Sequence, residues 1–116
     1  MAAQAGVRDG YKYPQMYTQS NLVGMINILD CCKAADVNQL IYASSSAVYG
    51  NSEKLPYSEN DHIGLPLSLY AATKQSNEAM AYSFSSLYSI PITALRLFTV
   101  YGPWGRPDMA IYNFTS

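Results

Sequence analysis

Tyr70 and Lys74 stand four residues apart in the run SLYAATKQ (68–75). On a helix that spacing puts both side chains on one face, about one turn apart. A phenol titrates near pH 10 and is a poor base at neutral pH. A neighbouring ammonium favours the phenolate and lowers that value. The pair can then move a proton to or from an alcohol hydroxyl. Two plainer accounts compete. With 11 tyrosines in the chain, a Tyr-x-x-x-Lys spacing arises readily by chance. Lys74 also has Glu78 four residues on, an ordinary helical ion-pair partner.

Upstream, YASSSAVYG (42–50) ends an apolar run with three serines. In open α/β sheets, ligands sit beyond the carboxyl ends of the strands. A serine there can donate to a bound oxygen and steady a tyrosine base. The plain account is a strand end whose serines satisfy their own backbone.

The elements that must position these residues follow from the pattern. Residues 1–14 read as irregular, punctuated by Gly6, Gly10 and Pro14. A helix is expected from Gln15 to Ala35. Its NLVGMINILDCC stretch is apolar around most of its circumference, the mark of burial on more than one side. Cys31 and Cys32 then read as helix-core filler. QLIYAS (39–44) reads as a short buried strand. A long loop, 45–67, carries Gly50, Pro56, Gly64 and Pro66, and loops of that length are more often functional than idle. A second helix is expected over 68–88, then a strand over ITALRLF (92–98). TVYGPWGRPD (99–108) is loop, and the last residues begin a helix. Such alternation builds a parallel α/β sheet. Two strands alone do not complete one, because parallel sheets bury both faces. The sequence is therefore expected to be an internal piece of a larger α/β protein. A small α/β domain completed by self-association is the alternative.

Composition narrows the classes. The chain has 116 residues, 49% hydrophobic and 13% charged, enough to build a core. Its formal net charge of −1 gives no basic face for nucleic acid. There is no apolar run near the roughly 18 residues that a membrane span needs. The N-terminus MAAQAGVRDG lacks the layout of a secretion signal. The two cysteines are adjacent and are expected to be reduced, in a cytoplasmic protein. One histidine and no spaced thiols argue against a metal site; His62 reads as a solvated loop residue. Trp104 is expected to pack its loop against a neighbouring domain.

Taken together, YASSSAVYG, SLYAATKQSNE and LRLFTVYGPWGRPDM resemble the extended short-chain dehydrogenase/reductase family of nucleotide-sugar epimerases and dehydratases. Within it, AAQAGVR and FTVYGPWGRPDM are most similar to the UDP-glucuronate 4-epimerases. The resemblance covers the whole chain, with four motifs in order. It implies a partial Rossmann-like, doubly wound fold that uses NAD. Tyr70 is then the catalytic base, its pKa lowered further by a cationic nicotinamide. Lys74 tunes it and holds the nicotinamide ribose. Ser45 takes the place of the catalytic Ser or Thr, with Ser46 as the nearby alternative and a substrate contact. Ala2, Ala3, Gln4, Asn21, Ser44 and Phe98 fall at cofactor-lining positions. Arg8, Thr99 and Arg106 fall on the substrate side, where Arg106 offers a guanidinium fork to a uronate carboxylate.

The implied reaction is oxidation of a UDP-sugar at C4 and re-reduction on the other face. UDP-glucuronate is the first candidate and UDP-glucose the alternative. Family dehydratases carry an acidic pair after the catalytic Ser or Thr. Ser46 and Ala47 stand here, which favours epimerisation. No Gly-x-x-Gly-x-x-Gly turn occurs. The glycine-rich βαβ unit and most of the substrate domain are accordingly expected to lie outside the chain. The resemblance also implies a homodimer through the helices at 15–35 and 68–88. Three readings follow: part of an NAD-dependent epimerase, an inactive fragment that dimerises, and an inert piece that does not fold stably.

Overall fold

A computed structural model describes residues 3–6, 9–105 and 109–115. The order of its main elements is that expected for half of an α/β alternation. Helix α1 (Asp9–Lys12) and helix α2 (Pro14–Tyr17) lead into a π-helical segment, Thr18–Val23, which runs straight on into α3 (Gly24–Ala34). Strand β1 (Leu40–Ala43), a 3-10 turn (Ser46–Tyr49), helix α4 (Leu69–Tyr88), strand β2 (Ile92–Leu95) and helix α5 (Ala110–Thr115) follow. The strands pair in parallel, with Leu40 opposite Ile92 and Ala43 opposite Leu95. Helix α4 is the crossover that a parallel pair requires.

Local chemistry explains the boundaries. Ser68 caps α4, its hydroxyl accepting the Ala71 N–H at 3.1 Å, a cap worth about 1 kcal/mol. The helix stops where Ser89 turns left-handed (φ 56), two residues before Pro91. Pro14 opens α2, where its missing N–H costs nothing. Tyr17, Asn21, Met25 and Leu29 recur every fourth residue and form one buried stripe through the π segment. Met25 and Leu29 meet Ala81 of α4 in the core, flanked by Leu40, Tyr42, Phe84 and Ile92.

Several expectations need correction. The first fourteen residues are not wholly irregular, since Asp9–Lys12 is helical. The long first helix is buried along one stripe only. Ile28 is 52% exposed and Cys31 is an exposed free thiol, because the described elements cover a single face of α3. β1 is not fully buried either, as Ile41 is 57% exposed on the uncovered face of the sheet. β2 ends at Leu95, earlier than the apolar run suggests. A Leu97 N–H bond to the Leu95 carbonyl (2.9 Å) turns the backbone out of the ladder there. Trp104 is fully exposed at 101%, packed against none of the described residues. No described helix is long and apolar enough to cross a membrane.

Candidate active site

Lys74 is the centre of the site. It lies on the inward face of α4, 6% exposed. Its ammonium donates to the carbonyl of Ala43, the last residue of β1, at 2.8 Å. The Tyr70 ring lies one turn earlier, 5.8 Å from the Lys74 Nζ to its centre. Burial pushes the lysine below its ordinary pKa. Helix geometry and the strand end thus hold a tyrosine and a desolvated lysine together at the carboxyl edge of a parallel sheet. The plain alternative for Lys74 fails. Glu78 is engaged with Arg96 (Nη2 to Oε2, 2.9 Å; Nε to Oε1, 3.1 Å) and accepts from the Ser44 hydroxyl at 2.5 Å.

Ser45 follows Ala43 by two residues and is half-buried. Its hydroxyl accepts the Ala47 N–H at 3.2 Å and so caps the 3-10 turn, leaving the hydroxyl proton free to donate. Ser46 donates its backbone N–H to the Leu97 carbonyl at 2.9 Å, which keeps the chain after β1 beside the chain after β2. Ser44 spends its hydroxyl on Glu78.

Asn21 is buried in the π-helical segment, a form that often marks a functional position. It clasps Gln4 at two points, accepting the Gln4 N–H (2.9 Å) and donating to the Gln4 carbonyl (3.0 Å). It also donates to Thr73 Oγ1 at 3.0 Å. The segment that carries Ala3 and Gln4 is thereby fixed, through Thr73, against the helix of Tyr70 and Lys74. Tyr17 adds a hydrogen bond to the Gly6 carbonyl.

Phe98 packs with Tyr57 and Tyr49, ring centres 6.1 and 6.5 Å away. These rings line a pocket of about 410 Å³ with Arg96, Glu78, Glu59 and Ala94; Tyr70, Lys74 and Ser45 are not in its lining. Glu78 raises the Arg96 pKa further above its usual range. The nearby Tyr42 phenol is pushed up by burial and then by Glu78. Thr99 is exposed. Ala2, Arg8 and Arg106 lie outside the described residues. No cluster of three metal-ligating side chains occurs among the described residues.

The residues present fit the nicotinamide-ribose end of a dinucleotide. Lys74 has three N–H donors and gives one to Ala43, so two remain for ribose hydroxyls. The Asn21-held segment supplies a fixed backbone beside them. Sequence reading missed three contributors: Thr73, which relays Asn21 to the Tyr70 carbonyl at 2.8 Å, Gln75, and the Glu78–Arg96 pair. Only the last carried a signal, as opposite charges on neighbouring elements.

Residues 1–115 match the NAD dependent epimerase/dehydratase family, and the chain belongs to it. It is 58% identical over 115 residues to protein CapI of Staphylococcus aureus, covering 99% of this chain and 34% of that protein. It is 53% identical over 116 residues to UDP-glucuronate 4-epimerase 1 of Arabidopsis thaliana, covering 99% of this chain and 27% of that one. Among solved structures it resembles the UDP-glucuronic acid 4-epimerase of Bacillus cereus in complex with UDP-glucuronic acid and NAD. The TM-score is 0.86 at 39% identity, over 97% of this chain and 35% of that one. The fold is that of the Rossmann-type epimerases and dehydratases. The chain thus spans 34% and 27% of the length of these two curated relatives.

Proposed function

We propose that this chain carries the nicotinamide-end half of the active site of an NAD-dependent UDP-sugar 4-epimerase, with UDP-glucuronate as substrate and UDP-galacturonate as product. The observation that carries the reading is the seating of Lys74 on Ala43 beside the Tyr70 ring. Tyr70 takes the proton from the sugar 4-hydroxyl and later returns it. Lys74 holds a ribose hydroxyl and favours the phenolate by its charge. Ser45 donates to the sugar 4-oxygen. Asn21 keeps the Ala3 and Gln4 segment in place along the cofactor. Bound NAD, held at its ribose by Lys74, would supply the reversible hydride transfer at C4 that inversion requires. Arg106 is the proposed partner of the uronate carboxylate, with Thr99 and Arg8 as further substrate-side donors. Ser46 and Ala47, where the dehydratases have acids, offer no group for dehydration.

The test is NAD+ binding to the chain by calorimetry, followed by a chromatographic assay of UDP-glucuronate for UDP-galacturonate. UDP-glucose serves as the competing substrate. Micromolar binding and C4 inversion support the reading. Preference for UDP-glucose replaces the substrate, and absence of binding at millimolar NAD+ removes enzyme activity from this chain while leaving its family membership.

A second reading is favoured by exposed apolar side chains on the two long helical stretches. Val23 and Ile28 on the first, and Tyr82 and Leu87 on α4, face away from the described core. We propose a homodimer through 15–35 and 68–88, in which an inactive fragment would also persist. Sedimentation equilibrium of the chain tests it; a monomer at high micromolar concentration removes it.

A further inference from the structure

We propose that Gln75 is a positioning residue: its side-chain amide clamps both stems of the 45–67 loop onto α4 and so fixes Ser45 relative to Tyr70. The proposal rests on the reading above that these two residues act on one substrate.

Three observations support it. First, Gln75 Nε2 donates to two backbone carbonyls far apart in sequence, Val48 at 3.0 Å and Gly64 at 2.7 Å. Both donor hydrogens of the amide are used, one on each stem. Secondly, the stems touch backbone to backbone at that place. A Cβ on Gly50 (φ +55) would lie 2.0 Å from the Leu65 carbonyl oxygen, and one on Gly64 would lie 2.2 Å from the Tyr49 carbonyl oxygen. Only glycine fits either position. Asn51 adds a third tie, its Oδ1 accepting the Leu65 N–H at 3.0 Å. Thirdly, Gln75 adjoins Lys74, which holds Ala43. Two neighbouring residues of α4 therefore fasten the chain on either side of Ser45, at 43 and at 48. The same amide holds Gly64, from which the chain runs through Ser68 into the turn that carries Tyr70.

An exposed glutamine after the lysine would be interchangeable with any polar residue. A glutamine that satisfies two carbonyls is not. Removing the amide frees both stems from α4 at once, and the chain around Ser45 is then held only at Ala43, by Lys74, and at Ser46, by the Leu97 carbonyl.

The experiment is amide hydrogen exchange by NMR on the 116-residue chain and on Gln75→Leu and Gln75→Lys. The Val48, Gly50 and Leu65 amides report the stems, and interior α4 amides serve as control. In the wild-type chain the Gln75 side-chain amide protons should themselves be protected. In Gln75→Leu the stem amides should exchange about tenfold faster or more, with α4 unchanged. Gln75→Lys keeps a donor and should recover much of the protection. Where the chain turns over substrate, Gln75→Leu should lower kcat by about tenfold with KM for NAD unchanged, and Gln75→Lys should restore it. Unprotected Gln75 amide protons, or stem exchange that Gln75→Leu does not alter, would overturn the clamp. Faster stems with an unchanged kcat would overturn the positioning role. A wild-type chain without turnover counts against the proposed activity, and exchange at Val48, whose N–H bonds to the Ser45 carbonyl at 3.2 Å, still decides the clamp.

Discussion

Asn21 and Thr73 share a buried hydrogen bond of 3.0 Å that ties the π-helical segment to the helix of the tyrosine. Thr73 donates onward to the Tyr70 carbonyl at 2.8 Å. Asn21 Oδ1 and Nδ2 meanwhile complete the Gln4 backbone. One amide thus satisfies three groups on two other segments. Asn21→Leu fills similar space but leaves the Gln4 N–H and carbonyl unpaired and Thr73 Oγ1 with its Tyr70 bond alone, and each buried orphan costs about 1–3 kcal/mol. The expected loss is about 2–4 kcal/mol in urea unfolding, together with weaker NAD+ binding. A loss below about 1 kcal/mol would show that water replaces the amide and that the segment is not held as described.

Tyr70 differs from Asn21 in that no hydrogen bond of its hydroxyl occurs among the described residues. Tyr70→Phe should therefore change stability by less than about 0.5 kcal/mol. It should lower kcat about 10²- to 10⁴-fold if Tyr70 moves the proton. Thermal melting and turnover measured on the same sample separate the two effects. A large drop in stability with little change in kcat would reverse the assignment.

Lys74 makes a pH-dependent prediction. Burial lowers its pKa in the folded chain, so the unfolded chain binds this proton more tightly. Between the lowered value and the ordinary one near 10.4, the unfolded state carries more protons, and stability rises with pH. Below that window the buried charge is a cost at every pH. Lys74→Met should remove this rise while leaving the Ala43 carbonyl without its donor. Urea unfolding from neutral pH to pH 10 measures the slope. An equal slope in both proteins would mean that the ammonium is solvated.

The Glu78–Arg96 pair is partly open, with side chains 15% and 20% exposed, so solvent screens part of its charge. Glu78→Gln weakens both Arg96 contacts and the Ser44 hydrogen bond. About 1–2 kcal/mol of destabilisation is expected, more than a surface pair would give and less than a fully buried one. The same variant should bring the Tyr42 phenol down toward its ordinary range, since Glu78 adds to the burial that raises it. Ultraviolet difference titration of Tyr42 reads that change.

What could be read from the residues alone depended on periodicity. Helix α4 was legible over 68–88, ahead of Pro91, although the cap by Ser68 shows only in the structure. β1 and β2 were legible as apolar runs between turn residues. The extent of burial was not, because a pattern shows which face can be buried and not what covers it. Ile41, Ile28 and Cys31 are apolar or soft, yet they stand exposed in a chain about a third as long as its relatives. The pairing of Tyr70 with Lys74 followed from a spacing of four. The acceptor of Lys74 did not, because Glu78 lay at the same spacing in the other direction and only the tertiary path shows it engaged by Arg96. Gln75 had no signal at all: its partners are backbone carbonyls, which every residue has.

The outer part of the 45–67 loop is held by charge, and that gives a prediction of opposite sign to that of Lys74. Asp61 is hydrogen-bonded to Lys54, and its other oxygen accepts the Ser58 N–H at 2.9 Å. Lys54 first, and the Ser58 amide second, lower the Asp61 pKa from 3.8. The folded loop therefore holds this proton less tightly than the unfolded chain does. Its contribution is complete above pH 3.8 and is lost as the pH falls through the lowered value. The Ser58 amide shift should titrate with a midpoint below 3.8. Lys54→Met should move that midpoint back up, and Asp61→Asn should abolish it. Since the Gln75 ties lie at the stems, 48 and 64, the Val48 and Leu65 amides should stay protected through the transition. A midpoint at or above 3.8 would show that Lys54 does not engage Asp61. Loss of stem protection at the same midpoint would show that the loop opens as one piece and that the stems have no anchor of their own.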